Sequence, residues 1–190
     1  KVVQERGISD IGAELATVIG GLRASLRDNP DDVATLTQLA LAYRNAGEID
    51  RSIERYERAV ALAPDNVQIY LQLAETYQHN GDLSRAIFTW ERAASLAPDQ
   101  IVILGSLATA YGQAGDPDGV IRTTRRILRL DPDHALAHRT LGSAYLDKGE
   151  LQEAAHALQR AITSDPVPSV AAEAWTELGS AYGQMGRFPE

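Results

Sequence analysis

His134 and His138 stand one helical turn apart, with Asp131 and Asp133 beside them. Imidazoles at i and i+4 project from one helix face, a spacing that can serve a zinc ion. A metal site needs converging ligands, and the chain has no cysteine and only two other histidines, His79 and His156. The pair therefore reads as a helix-start histidine and a packing histidine, and no metal or other cofactor is expected. A second constellation is basic. Arg122, Arg125, Arg126 and Arg129 follow i, i+3, i+4, i+7 spacing, which places four guanidinium groups on one stripe. Such a stripe could dock an acidic peptide, a phosphate or a headgroup. The plainer reading is a solvated outer face paired with acids such as Asp118 and Glu153. Serines and threonines lack a His–Asp arrangement, and the glycines occur singly, so no phosphate-cradling loop is written. No catalytic residues are expected.

The elements that position these residues follow from punctuation. Pro30, Pro64, Pro98, Pro132 and Pro166 are spaced 34 residues apart, and in the same register recur Leu39, Leu73, Leu107 and Leu141. Tyr43, Tyr77, Tyr111 and Tyr145 share another slot, and Gly47, Gly81, Gly115 and Gly149 a third. A 34-residue period of this kind is a helix–turn–helix repeat. Leu36, Leu39, Ala40 and Tyr43 give one apolar helix face, Gly47 ends that helix in a left-handed turn, and Ile53, Tyr56, Ala59, Val60 and Leu62 mark a second helix. The aspartates Asp31, Asp65, Asp99 and Asp133, each following a proline, read as N-caps of the next helix.

This pattern resembles the tetratricopeptide repeat family over nearly the whole chain. The large–Leu–small–Tyr run of the first helix appears as Leu36, Leu39, Ala40, Tyr43, then as Tyr70, Leu73, Ala74, Tyr77, then as Leu104, Leu107, Ala108, Tyr111. The later copies carry Gly142 and Gly179 in the small slot, followed by Tyr145 and Tyr182. The second-helix signature appears as Ser52, Tyr56, Ala59 and as Ala86, Trp90, Ala93. The resemblance implies an all-α fold, a right-handed α-solenoid of antiparallel helix pairs. It divides the chain into an N-terminal packing helix or degenerate half-repeat (1–32), four repeats (33–66, 67–100, 101–134 and 135–168) and an incomplete fifth (172–190). Ile11, Leu15, Val18, Ile19, Leu22 and Leu26 give residues 8–28 an amphipathic stripe, for packing or for dimerisation, with Gly20 and Gly21 weakening its centre.

The departures from the pattern carry expectations of their own. The third repeat has Val120, Thr124 and Ile127 where small, aromatic and small residues belong, so its second helix should pack at a different spacing. The fourth has His138 in the large slot and Leu158 in the aromatic one. After Pro166 the register slips by three residues, lengthening the turn within 167–171. Trp175, Leu178 and Tyr182 then form a packing stripe without its second helix, and Phe188 opens that helix just before Glu190. An uncovered stripe seeks a partner, and a second copy of the chain is one candidate.

Arrays of this family have no built-in catalytic pocket and bind along a surface. First helices line the concave groove, which here implies Thr37, Leu41, Arg44 and Asn45, then Gln68, Leu71, Gln72, Glu75 and Gln78. The following repeats add Val102, Gly105, Ser106, Thr109 and Gln113, and Leu136, Arg139, Ser143 and Asp147. The lining lacks the Lys/Asn set with which chaperone-binding members clamp a terminal carboxylate. It suits an extended or helical peptide held by amide hydrogen bonds.

The net charge of −8 speaks against general nucleic-acid binding, and no stretch reaches the roughly 20 apolar residues of a membrane span. The expected function is a protein–protein interaction scaffold, without catalysis, in a cytoplasmic or periplasmic setting. Two other roles fit the residues: the non-catalytic arm of a larger enzyme such as a glycosyltransferase, and an assembly factor of a bacterial envelope complex such as cytochrome c maturation. Sixteen arginines against two lysines point to a GC-rich bacterial genome.

Overall fold

The computed structural model describes residues 2–164 and 168–186, which form ten helices and no strand among them. They are α1 (Val2–Asp28), α2 (Val33–Asn45), α3 (Ile49–Leu62), α4 (Val67–His79) and α5 (Leu83–Leu96). These are followed by α6 (Ile101–Gln113), α7 (Pro117–Leu130), α8 (Ala135–Asp147), α9 (Leu151–Ser164) and α10 (Pro168–Gln184). The chain forms two compact units, Lys1–Leu96 and Ala97–Glu190. No helix among the described residues is long and apolar enough to cross a membrane.

In the N-terminal unit α1 packs on α2, α2 on α3, α3 on α4 and α4 on α5. The recurring slots make these contacts. Leu36, Leu39, Ala40 and Tyr43 of α2 are buried, as are Tyr70, Leu73, Ala74 and Tyr77 of α4. Small residues at Ala40, Ala59, Ala74, Ala86 and Ala93 let the helix backbones approach, and Tyr56 and Trp90 fill the space they leave. The helix α1 runs unbroken through Gly20 and Gly21, with Leu26 close to Leu39 and Tyr43 of α2.

The C-terminal unit repeats the scheme with α6, α7, α8, α9 and α10, and α8 also packs against α10. Leu104, Leu107, Ala108 and Tyr111 are buried on α6, and His138, Leu141 and Tyr145 on α8. Leu158 stands in the aromatic slot of α9 and is 0% exposed, clustered with Ala155, Ala161, Ala174, Leu178 and Ala181. It occupies the room that Gly142 leaves, for a Cβ on Gly142 would lie 2.5 Å from Leu158 Cγ.

The helices α2, α4, α6 and α8 close in the same way. The amide N–H groups of Glu48, Asp82, Asp116 and Glu150 each donate to the tyrosine carbonyl of their turn, all at 2.9 Å. Gly47, Gly81, Gly115 and Gly149 adopt φ of 76°, 78°, 70° and 73°, and Gly186 follows at 66°. This is the left-handed C-terminal cap that glycine adopts without a Cβ clash.

Three local expectations are corrected. The N-caps lie one residue later than the Pro-Asp aspartates, at Asp32, Asn66, Gln100 and His134. Asp31 and Asp133 instead bind Arg58 and Arg160 of the second helix, at 2.6 and 3.0 Å. The slipped register before α10 is taken up partly by the helix, since Pro168 to Ala171 are already helical and α10 has 17 residues against 13 in α8. Residues 165–167 and Phe188 lie outside the described residues. Finally, the terminal stripe is not uniformly open: Leu178 is buried and Tyr182 is half-buried, while Trp175 is 60% exposed.

Candidate binding grooves

In the N-terminal unit, the faces of α2 and α4 flank a hollow of about 550 Å³ with Tyr56 of α3 at its base. Thr37, Leu41, Gln68 and Gln72 line it, as the register anticipates. Tyr56 is held by its hydroxyl, which donates to Gln72 Oε1 at 3.4 Å. Arg44 donates to the same oxygen at 3.1 Å and pairs with Glu75 at 3.3 Å. Burial raises the Tyr56 pKa, so the phenol stays protonated and able to donate. Asn45 and Leu71 do not line this hollow. Gln78 is engaged elsewhere, accepting the indole N–H of buried Trp90 at 2.9 Å.

In the C-terminal unit a second hollow, of about 650 Å³, opens between α6 and α8. Its walls include Val102, Gly105, Ser106, Thr109, Leu136, Ser143 and Asp147, all expected from the register. Val102 is 80% exposed, an apolar side chain standing free at the rim. Val120, Thr124 and Ile127 of α7 also contribute, with Gly112 and Thr140. These five were not expected at the site. Their signal is in the sequence nonetheless: Thr124 stands where the first two repeats carry Tyr56 and Trp90. Gln113 and Arg139 do not line the hollow. Arg139 is tied to Glu173 and, at 3.5 Å, to Glu177 of α10. Glu177 also accepts from the Ser143 hydroxyl at 2.5 Å.

The two histidines on α8 part company. His134 caps the helix, its Nδ1 accepting from the Ala137 amide at 3.2 Å, and it borders the second hollow. His138 is buried, with Nε2 2.8 Å from the Pro132 carbonyl, and faces a separate cleft shared with Tyr145 and His156. Desolvation lowers its pKa, outweighing the Pro132 carbonyl, which favours the charged ring. No group of three or more potential ligands among the described residues could hold a metal ion.

The arginine stripe on α7 is also divided. Arg122 lies 5.7 Å from the Tyr111 ring centre and 3.8 Å from Asp116. Arg125 donates to the Tyr145 hydroxyl at 2.5 Å. Arg126 is half-buried and Arg129 exposed. Asp118, expected to face this stripe, binds Lys148 at 2.9 Å.

Comparison with known proteins agrees with this architecture. A family profile described as tetratricopeptide repeat matches residues 37–101, 106–169 and 141–190. No curated protein sequence matches the chain. Among solved structures, MamA AMB-1 is similar at 27% identity and a TM-score of 0.65, covering 85% of this chain and 95% of that one. MamA from Desulfovibrio magneticus RS-1 is 19% identical with a TM-score of 0.64, covering 83% and 90%. YrrB, described as a TPR protein with an unusual peptide-binding site, is 18% identical with a TM-score of 0.67, covering 87% and 84%.

Proposed function

The chain belongs to the tetratricopeptide repeat family, and from that premise we propose that it is a protein-interaction scaffold that holds a peptide segment against its first helices, without catalysis of its own. The observation that carries this reading is the pair of hollows on first-helix faces, α2/α4 lined mainly by amide and apolar side chains and α6/α8 mainly by small and apolar ones with Asp147 and His134. A peptide laid there meets hydrogen-bonding side chains such as Gln68 and Ser106 and apolar steps at Leu41, Val102 and Leu136. The amide-rich lining of the first hollow suits a neutral peptide segment better than a nucleic acid, in keeping with the net charge of −8.

The test is capture of binding proteins by the immobilised chain, compared with two variants. Leu41→Glu with Gln68→Glu alters the first hollow, and Ser106→Glu with Thr109→Glu the second. Both pairs lie on exposed or half-buried positions, so the melting temperature should stay near that of the parent. Loss of capture in either variant supports the groove. Undiminished capture in both, with loss only when Arg122 to Arg129 are neutralised, moves binding to the outer face and refutes the proposal.

Trp175 supports one addition, self-association through α10. Its counterparts Tyr70, Leu104 and His138 are buried, whereas Trp175 is not. Light scattering of the chain and of Trp175→Glu tests this: a monomer at high concentration in both refutes it.

A further inference from the structure

The N-terminal unit carries a second kind of hollow, a cleft of about 230 Å³ lined from α1, α2 and α3. Arg23 and Arg27 of α1 and Arg55 of α3 border it beside Tyr43, and no acidic residue does. One repeat further on, the same register holds Glu57, Ala61 and Thr89. An acid, a small residue and a hydroxyl are thus replaced by three arginines, on a chain whose net charge is −8. Arg23 and Arg27 are exposed and form no ion pair among the described residues. Arg55 is half-buried and pairs with Glu54 at 3.5 Å. Like charges around one cleft repel each other unless an anion lies between them.

Tyr43 adds a second, independent observation. Three of its equivalents are hydrogen-bonded to the preceding second helix: Tyr77 donates to Glu57, Arg125 donates to Tyr145 at 2.5 Å, and Gln159 donates to Tyr182 at 2.7 Å. The Tyr43 hydroxyl has no such partner among the described residues, although Arg23 stands at the register of Glu57. Tyr77 shows what the place accepts. The Glu57 carboxylate meets the Tyr77 hydroxyl and lies 3.9 Å from Arg85, which sits 4.6 Å from the ring centre. At Tyr43 the arginine over the ring is kept, as Arg51 at 5.7 Å, and the carboxylate is gone. Around Tyr145, where Arg125 stands at the register of Arg23, Glu153 lines the cleft and balances the charge. The α1/α3 cleft is smaller than the roughly 300 Å³ at which sites for whole small ligands begin, so it suits one acidic side chain. A nucleic-acid strand, charged at every residue, would run onto Asp28 and Glu54, which adjoin Arg27 and Arg55 in the chain.

We propose that the cleft between α1 and α3 docks a glutamate or aspartate side chain of an acidic protein segment, which supplies the carboxylate that the first repeat lacks. The carboxylate lies between the Arg23 and Arg27 guanidinium groups, taking charge-assisted hydrogen bonds from both, and Arg55 adds its charge from α3. The cleft shares no lining residue with the α2/α4 hollow, so this site goes beyond the groove reading and does not rest on it.

The experiment is an amide-resonance titration of the whole chain, at low ionic strength, with N-acetyl-tetraglutamyl amide, N-acetyl-tetraglutaminyl amide and inorganic phosphate. The glutamyl peptide should shift the Arg23, Arg27, Tyr43 and Arg55 amides saturably, and the glutaminyl peptide should not. Arg23→Gln with Arg27→Gln should weaken the glutamyl peptide several-fold at an unchanged melting temperature, both side chains being exposed. Arg23→Glu gives Tyr43 the carboxylate that Glu57 gives Tyr77, and should abolish the shifts. Arg92→Gln with Arg129→Gln removes the same charge at exposed positions outside the cleft and should leave binding as it was. No saturable shift at the cleft, equal binding of the glutaminyl peptide, unchanged binding in Arg23→Glu, or an equal loss in the Arg92 and Arg129 variant overturns the site. Phosphate that binds as tightly as the glutamyl peptide overturns the peptide assignment in favour of a free anion. None of these readouts depends on capture by the groove variants, so the two readings stand or fall separately.

Discussion

Gly142→Ala puts a methyl group where Leu158 already stands. The new Cβ would lie 2.5 Å from Leu158 Cγ and 2.8 Å from Cδ2, and 3.3 Å from the Ala154 carbonyl. The first contact is with a branch carbon of a side chain that is 0% exposed, so it cannot swing aside into solvent. Two effects oppose each other. Alanine in place of glycine inside a helix gains about 1 kcal/mol, and forcing a methyl into a packed core costs about 1–3 kcal/mol. The single variant should therefore be destabilised by about 0–2 kcal/mol. Leu158→Ala alone empties the centre of the α9/α10 cluster and should cost about 2–5 kcal/mol. In that background the clash is gone, and Gly142→Ala should be neutral or stabilising by up to about 1 kcal/mol. The coupling between the two sites is then the overpacking term itself, about 1–3 kcal/mol, in the sense that the double variant is more stable than the sum of its parts. Urea unfolding of the four proteins, followed by far-UV circular dichroism, measures it. Additive effects, with Gly142→Ala equally tolerated in both backgrounds, would show that Leu158 does not occupy the glycine's space.

Two further outcomes follow from the same geometry. His138 has a folded-state pKa below its ordinary value, so its contribution to stability is complete above about pH 6.5 and is lost as the pH falls below that. Asp133, Arg160 and His156 surround it, and the urea midpoint should drop between about pH 7 and about pH 5 in the parent and drop less in His138→Phe; equal slopes would contradict the assignment. Gly81→Ala forces an L side chain into φ of 78° and should cost about 1–2 kcal/mol, whereas Gly20→Ala, inside α1 with no atom within 4 Å of its Cβ, should gain about 0.5–1 kcal/mol; thermal melts that rank the two the other way would refute this.

The helices were legible because their signals are local and redundant. Leu39, Leu73 and Leu107 share a slot, and each is buried in its helix pair. The caps were misplaced by one residue because Asp31 and Asp32, or Asp133 and His134, offer neighbouring side chains with the same local chemistry. In two of the four copies the preceding aspartate is also engaged elsewhere, Asp31 by Arg58 and Asp133 by Arg160, each 27 residues further along. The floor of the second groove was written as a departure at Val120, Thr124 and Ile127, and a change of packing was the expectation it raised. Slot identity says that an aromatic is missing; it does not say whether the walls close over the vacancy. At Leu158 they do, with Gly142 taking up the difference, and at Thr124 they do as well, leaving it 0% exposed at the edge of the hollow between α6 and α8. Arg139 was expected to face a ligand, yet the acids that hold it are on α10, beyond the register slip that obscures their alignment.

The turns that end α2, α4, α6 and α8 are closed by bonds spanning only three to five residues, from the Gly47 amide to the Arg44 carbonyl and from the Glu48 amide to the Tyr43 carbonyl, with the same pairs in each later copy. Such a turn needs nothing from distant parts of the chain in order to form. The sequence separation that must be bridged to bring two helices together is therefore short everywhere, and chains dominated by short-range contacts fold fast. Each helical hairpin is its own kinetic step, and growth passes from one hairpin to the next rather than waiting on a single central nucleus. A hairpin that opens at one edge leaves its neighbours with their turns intact, so re-forming it requires closing only a loop of a few residues.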